Sequence, residues 1–164
     1  GYYAALLLII MHSLAKSSLF YQMGQLSRVL HTFKLDDCGK YMNLYPAGAL
    51  VLLLGMVCIL AIPPSGLFIS EFMIFKGLVF NNQWFILIMT VILLCYVIYA
   101  MSTRILHILF SSPRNEDNMD IPDKISPVES TSQFIFLGIV ILLCFYQPSF
   151  MVDLINDSFA LLPK

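Results

Sequence analysis

Three ionisable side chains stand inside otherwise apolar sequence, where a charge is costly. Lys16 lies near the middle of the first apolar stretch, and Glu71 lies late in the second. At the centre of a bilayer, each charge would cost roughly 2.5–3.5 kcal/mol on insertion scales. His12 stands four residues before Lys16, so the two residues share one face of any helix formed there.

These three groups have the chemistry of a proton relay. An imidazole titrates near neutral pH, and burial and neighbouring charges decide how lysine and carboxylate groups compete with it for protons. The same charges could instead form a static ion pair that holds helices in register, with His12 only hydrogen-bonded. The spacing alone leaves both interpretations open.

The composition places these groups in a membrane. The chain has 164 residues, of which 59% are hydrophobic and 12% charged, with a formal net charge of −1. Soluble domains carry about 25% charged residues, so a soluble globular domain, a disordered chain and a nucleic-acid-binding protein are excluded. Ten-residue alternating segments, which would indicate a membrane β-barrel, do not occur in the sequence. The sequence therefore predicts a single all-α integral membrane domain over residues 1–164.

Apolar stretches predict about four transmembrane helices. Each of the first three exceeds the ~20 residues that a membrane-spanning helix needs. The fourth is shorter, and it continues past a kink at Gln147 and Pro148, with Asp153 and Asp157 forming a polar stripe. The stretches cover residues 2–26, 46–80, 84–110 and 134 to about 162.

The second stretch is too long for one straight helix, and Pro63, Pro64 and Gly66 interrupt it. Proline removes a backbone donor and glycine permits unusual backbone angles. We predict a broken helix whose first half ends near Ile62 and whose second half begins near Leu67. Broken helices are a feature of transporters, although a proline kink with consequences for packing alone is the alternative.

Basic residues predict the orientation. Because an even number of crossings separates them, the loops at residues 25–45 and 111–131 lie on the same side of the membrane, and the positive-inside rule makes that side cytoplasmic. The second loop also holds five acidic residues and three prolines, which predict a solvated, irregular connector. The basic residues in or beside the two loops are Arg28, Lys34, Lys40, Arg104, Arg114 and Lys124.

The sequence predicts neither a redox cofactor nor a metal in this chain. Its four cysteines lack paired spacing and are interpreted as small buried hydrophobic residues. His31 and His107 lie near helix ends, at a depth different from that of His12, so a haem held by two histidines fits poorly. The chain begins with Gly1 rather than Met, without a leader, and we interpret it as a fragment that lacks its earlier helices.

Two segments resemble a known family. The run HSLAKSSLFYQMGQ at residues 12–25 resembles the late lysine-bearing helix of antiporter-like, proton-pumping membrane subunits. Such subunits occur in respiratory complex I, in group 4 membrane-bound nickel–iron hydrogenases and in multi-subunit cation/proton antiporters. The run IPPSGLFISEFMIF at residues 62–75 is similar to the broken helix that follows in the same family. The resemblance extends to about residue 80 and involves only the last four helices of such a subunit.

The resemblance implies a function and roles for the three ionisable residues. It implies vectorial transfer of protons, or of sodium, by a subunit of a redox-driven complex in the inner or plasma membrane of a prokaryote, assembled with other membrane subunits. Lys16 would be the central relay, His12 a proton-passing neighbour and Glu71 the terminal exchange group. The alternatives are a stand-alone cation/proton antiporter and a purely structural membrane piece.

The branch of the family depends on two positions. Many members resemble this chain but carry lysine where Glu71 stands, whereas a glutamate is similar to the chain-4-like subunit of complex I and to hydrogenase-4 component F. The chain-4-like subunit usually lacks a lysine at the position of Lys16. The combination therefore favours a hydrogenase-4 component F-like subunit over one of complex I.

Overall fold

The computed structural model describes residues 2–31, 34–35, 38–112 and 127–160, and within them it contains seven α-helices and no strand. This confirms the predicted all-α class. Three helices are long and apolar enough to cross a membrane, namely α1, α5 and most of α6. The helices are α1 (Tyr2–Leu30), α2 (Tyr41–Leu44), α3 (Pro46–Ile59), α4 (Gly66–Phe80), α5 (Trp84–Phe110), α6 (Pro127–Phe145) and α7 (Ser149–Ala160).

Helix α1 lies at the centre of a bundle in which α3, α4 and α6 pack against it. Helices α1 and α6 are antiparallel, because the Tyr3 hydroxyl donates to Gln147 Oε1 at 2.7 Å while Ser18 Oγ, further along α1, donates to the Gln133 carbonyl at 3.1 Å. Helices α3 and α4 follow each other along α1 in the direction opposite to it. Together they form the predicted broken span.

The break between α3 and α4 is closed by hydrogen bonds. The Ala61 N–H donates to the Cys58 carbonyl at 3.1 Å, and the Ile62 N–H donates to the Val57 carbonyl at 3.0 Å. With Ala61 at φ 51°, these bonds form a Schellman turn at the end of α3. The prediction of two half-helices is confirmed, with the first ending at Ile59 and the second beginning at Gly66.

Ser65 and Gly66 fix the start of α4. The Leu67 N–H donates to Ser65 Oγ at 3.2 Å, so Ser65 is the N-cap, and Ser65 Oγ donates to the Cys58 carbonyl at 2.9 Å. A Cβ atom at Gly66 would lie 2.8 Å from the Val140 carbonyl oxygen of α6. Only glycine therefore allows α4 to begin this close to the backbone of α6.

The loop predicted at residues 111–131 extends too far, because its last residues belong to helix α6. Helix α6 begins at Pro127, before the apolar stretch at 134, because Ser130 is buried beside Tyr45 and Gln133 is buried against α1. The Lys40 N–H donates to the Ser111 carbonyl at 2.8 Å, so the two basic loops meet at one end of the bundle, which we call the loop end. Arg114, Lys124 and the acidic residues at 116–123 lie outside the described residues.

Helix α7 has the predicted polar stripe. Asp153 and Asp157 are exposed, while Met151 and Ile155 are buried in the core. The prediction of buried cysteines is confirmed for Cys38 and Cys58, Cys144 is half-buried, and the prediction is wrong for Cys95, which is exposed. Cys95 lies on α5, which belongs to the outside of the bundle over most of its length.

Candidate functional site

The structure brings His12 and Lys16 together on one side of α1. His12 is half-buried and Lys16, one turn later, is exposed on the side that faces away from the bundle, which we call the outer face. The neighbouring Ser17 hydroxyl donates to the Ser13 carbonyl at 2.8 Å, so it is satisfied within the helix. A charged group and an imidazole are thus presented without a partner from α3, α4 or α6.

Glu71 is half-buried on α4 and lies apart from that pair. Helices α1 and α4 approach each other at Met11 and Gly66, where a Cβ atom on the glycine would lie 3.0 Å from the methionine sulfur. Lys16 and Glu71 are each five residues beyond this approach, in opposite directions along the bundle. At 1.5 Å per residue, they are separated by about 15 Å along the axis.

The ionisable groups of the predicted relay are therefore unpaired within the described part of the chain. The ion pair found there joins Arg28 to Glu129, at the loop end. His31 and His107 are exposed at the ends of α1 and α5, as predicted for interfacial residues. Among the described residues, no three histidine, cysteine or acidic side chains are grouped closely enough to hold a metal ion.

The residues at the helix break have different surroundings. Pro63 and Pro64 are exposed and are joined by a cis peptide bond. Gly66 is buried at the centre of the bundle, between Met11 of α1 and Val140 of α6. Of the three residues predicted to make the break, Gly66 is the one whose identity is fixed by packing.

A buried polar cluster on the opposite side of α1, its inner face, was missed by the sequence reasoning. Gln22 Nε2 donates to the Tyr41 hydroxyl at 2.7 Å, and Gln25 Nε2 donates to Glu129 Oε2 at 3.1 Å. The Tyr45 and Ser130 hydroxyls are hydrogen-bonded to each other. We call this group the amide cluster; its buried polar members are Ser18, Gln22, Gln25, Ser130 and Gln133.

One signal in the sequence could have revealed this cluster. Ser18, Gln22 and Gln25 have the i, i+4, i+7 spacing of a single helix face. A polar stripe on an apolar helix is expected to face other protein rather than lipid. The partners on α2 and α6 are far away in the sequence, so the stripe could be found but its contacts could not.

Tyr41 and Gly48 shape one wall of the amide cluster. Tyr41 is fully buried, and burial raises the pKa of its phenol, so the hydroxyl keeps its proton. A Cβ atom at Gly48 would lie 2.6 Å from both the Tyr41 hydroxyl oxygen and Gln22 Nε2. The absence of a side chain at Gly48 therefore provides the space for the hydrogen bond between Gln22 and Tyr41.

The comparison with protein families agrees with this architecture. Residues 1–96, which include α1, the broken span and the first part of α5, match the transmembrane family described as NADH:quinone oxidoreductase/Mrp antiporter. The chain belongs to this family. The resemblance predicted from the two sequence runs is confirmed, and the match includes the candidate residues His12, Lys16 and Glu71.

Two relatives represent different branches. The chain is 28% identical over 116 residues to a hydrogenase-4 component F homolog of Methylacidiphilum infernorum (isolate V4), covering 71% of this chain and 24% of the relative. It is 26% identical over 153 residues to NADH-quinone oxidoreductase subunit M of Buchnera aphidicola subsp. Baizongia pistaciae (strain Bp), covering 93% of this chain and 30% of the relative. The chain spans less than a third of the length of either relative, and the similar identities leave the branch unresolved.

Proposed function

We propose that this chain is part of a proton-translocating membrane subunit of a redox-driven complex. The observation that carries the proposal is the pair His12 and Lys16, one turn apart in the middle of a membrane-length helix. An ionisable residue inside a membrane span is a functional candidate by default, because a purely structural role rarely justifies its cost. Membership of the antiporter-like family supports the same conclusion.

In this proposal Lys16 binds and releases the transferred proton, His12 passes it along α1, and Glu71 exchanges it at the other end of the path. A hydrogen-bonded proton transfer requires heavy atoms within about 3.2 Å, whereas the axial separation of Lys16 and Glu71 is about 15 Å. Water or side chains from other helices must therefore bridge them. The exposed position of Lys16 gives such groups access from the outer face of α1.

We further propose the hydrogenase-4 component F-like branch, with a complex I subunit as the alternative. Glu71, in place of the lysine of many similar subunits, supports this choice together with Lys16. The partners in this proposal are the other membrane subunits of the complex and the lipid bilayer of a prokaryotic plasma membrane. Sodium is the alternative transported ion.

The test is proton flux per electron in vesicles that contain the full complex. Lys16→Ala and Glu71→Gln should each lower this flux at least several-fold while immunoblots show normal subunit content. Lys76→Ala is the matched control, because Lys76 is an exposed cation on the same helix as Glu71 and lies 5.7 Å from the centre of the Phe80 ring. The control should keep its flux.

Two outcomes would contradict the proposal. Normal flux in an assembled Lys16→Ala/Glu71→Gln double variant would exclude a relay through these groups. If each of these charges instead belonged to a static buried ion pair, removing it would leave its partner charge unpaired. Each single variant would then lose about 3–5 kcal/mol of stability. Assembly itself would then fail, and the purely structural alternative would be favoured.

The orientation has a separate test. In a background without native cysteines, Ser112→Cys lies at the loop end, and Ser158→Cys lies on α7 near the opposite end. A membrane-impermeant thiol reagent added to intact cells should label the cysteine at position 158 and leave the one at 112 unlabelled. The reverse pattern would place the basic loops outside.

A further inference from the structure

We infer that the amide cluster is a binding site for ordered water. Three of its side chains, Gln22, Gln25 and Gln133, are 0–1% exposed. The Oε1 atom of each is buried and lacks a hydrogen-bond donor among the described residues. Leaving a buried acceptor unpaired costs about as much as a lost hydrogen bond. Three such acceptors, at the contacts of α1 with α2 and α6, point to a ligand that donates hydrogen bonds.

Reassigning the amide orientations does not supply the missing donors. Gln25 must keep its Nε2 towards Glu129, 3.1 Å away, because its oxygen would otherwise face a carboxylate. Turning Gln22 would let the Tyr41 hydroxyl donate to Oε1, but it would leave the two amide hydrogens of Gln22 without an acceptor at that place. The requirement for an additional partner thus remains at Gln22 and Gln25 in either orientation.

The charge balance favours a neutral ligand over a cation. Glu129, the carboxylate beside the cluster, is already paired with Arg28 and accepts a further hydrogen bond from Gln25. A sodium ion held by the amide oxygens would therefore add an uncompensated charge to a buried interface, which is costly. Water donates two hydrogen bonds without adding charge, and buried waters typically make about three.

A groove at the loop end lies next to the amide cluster. It encloses about 380 Å³ between α1 and α6. Gln133 borders both the groove and the amide cluster, and its Oε1 atom is buried between them. The lining of the groove includes Gly24 and Arg28 of α1 and Glu129, Ser132 and Gln133 of α6.

The site is separate from the proposed proton relay. Beyond Ser18, the inner face of α1 continues with the fully buried apolar residues Ala15 and Met11, which close the cluster towards the middle of the bundle. Lys16 lies on the outer face of the same turns. The water site therefore does not depend on whether the relay operates, and it belongs to the joint between α1, α2 and α6.

The direct test is electron cryo-microscopy of the full complex at a resolution that shows other buried waters. We expect density at hydrogen-bond distance, about 2.7–3.2 Å, from at least two of the three amide oxygens. A well-ordered cluster without such density would overturn the inference. Density with short contacts to five or six oxygens would indicate a cation instead, and would overturn it as well.

Thermal unfolding of the detergent-solubilised complex gives an independent test. Gln133→Leu has similar volume and removes one acceptor, so it should lower the unfolding midpoint by a few degrees if water is bound there. An unchanged or higher midpoint would mean that no water is bound, because leucine would then remove a buried oxygen that had no hydrogen-bond partner. Replacing sodium by choline at equal ionic strength should not move the wild-type midpoint. A sodium-dependent rise that is lost in Gln133→Leu would assign a cation site and contradict the inference.

Discussion

The inner and outer faces of α1 both carry polar chemistry, in opposite settings. On the inner face, the neutral residues Ser18, Gln22 and Gln25 are buried and bonded to α2 and α6. On the outer face, Lys16 is exposed and His12 half-buried, and the described residues offer them no partner. Neutral amides can be enclosed at modest cost when they are hydrogen-bonded, whereas a charge cannot.

The difference teaches which polar residues build the bundle and which are available for chemistry. Side chains with fixed hydrogen-bonding capacity define the register of α1 against α6. The ionisable side chains His12 and Lys16 lie where partners outside the described residues can reach them. This division predicts that substitutions on the inner face act mainly on stability, and that those on the outer face act mainly on activity.

The strongest test of this division compares two alanines on α1. Ala15 is 0% exposed on the inner face, and Ala5 is exposed. Ala15→Leu should destabilise the complex by about 3 kcal/mol, because extra methylene groups in a packed interior force strain. Ala5→Leu should change stability by less than about 0.5 kcal/mol. Thermal unfolding midpoints in detergent measure both, and equal effects would contradict the assignment of the two faces.

The next effect concerns the wall of the amide cluster. Gly48→Ala should separate Gln22 from Tyr41, because the new Cβ would occupy the space beside their 2.7 Å hydrogen bond. We expect a loss of about 2 kcal/mol, the cost of leaving buried groups unpaired. Adding Gln22→Leu to the Gly48→Ala variant should then lower its stability little further. If the stability losses from Gly48→Ala and Gln22→Leu were additive, Gly48 would not act through the hydrogen bond between Gln22 and Tyr41.

A glycine on the outer part of α1 should respond in the opposite direction. A Cβ atom at Gly24 would meet nothing within 4 Å, unlike one at Gly48. Gly24→Ala should therefore stabilise α1 by up to about 1 kcal/mol through helix propensity. Gly77→Ala, which also meets nothing, is a control on α4. Destabilisation by Gly24→Ala alone would show that another subunit packs against this part of α1.

The smallest effect is expected at the rim between the two faces. The side chains of Arg28 and Glu129 are 54% and 37% exposed, so their ion pair resembles a surface pair. Arg28→Ala should cost about 0.5 kcal/mol at low salt, and less when salt screens the interaction. Thermal unfolding at two salt concentrations checks this. A loss that is large and independent of salt would mean that Arg28 belongs to the buried network.

Much of the helical layout could be predicted from the sequence. Helix α5 has the bounds of its apolar stretch, and the break before α4 follows from Pro63, Pro64 and Gly66. The fourth apolar stretch begins at residue 134, seven residues after the observed start of α6, and the predicted loop includes residues 127–131 of this helix. Ser130 and Gln133 are buried there by contacts with α1 and α3, which local composition does not reveal.

The candidate site could be predicted only in part. The shared face of His12 and Lys16 follows from helical geometry alone. Which way that face points depends on the helices packed around α1, so the exposure of Lys16 and its separation from Glu71 could not be derived. Likewise, Ser18 bonds to Gln133, 115 residues away, and only the register between α1 and α6 brings them together.

The closed break between α3 and α4 also has an electrostatic meaning. The C-terminal end of α3 carries about half a negative charge and the N-terminal end of α4 about half a positive charge. Ser65 joins the two ends, accepting from Leu67 and donating to Cys58, so the opposite partial charges lie side by side and largely cancel. Any movement that separates the two helix ends would leave both partial charges uncompensated. The centre of the bundle would then acquire an electric field without the ionisation of a single side chain.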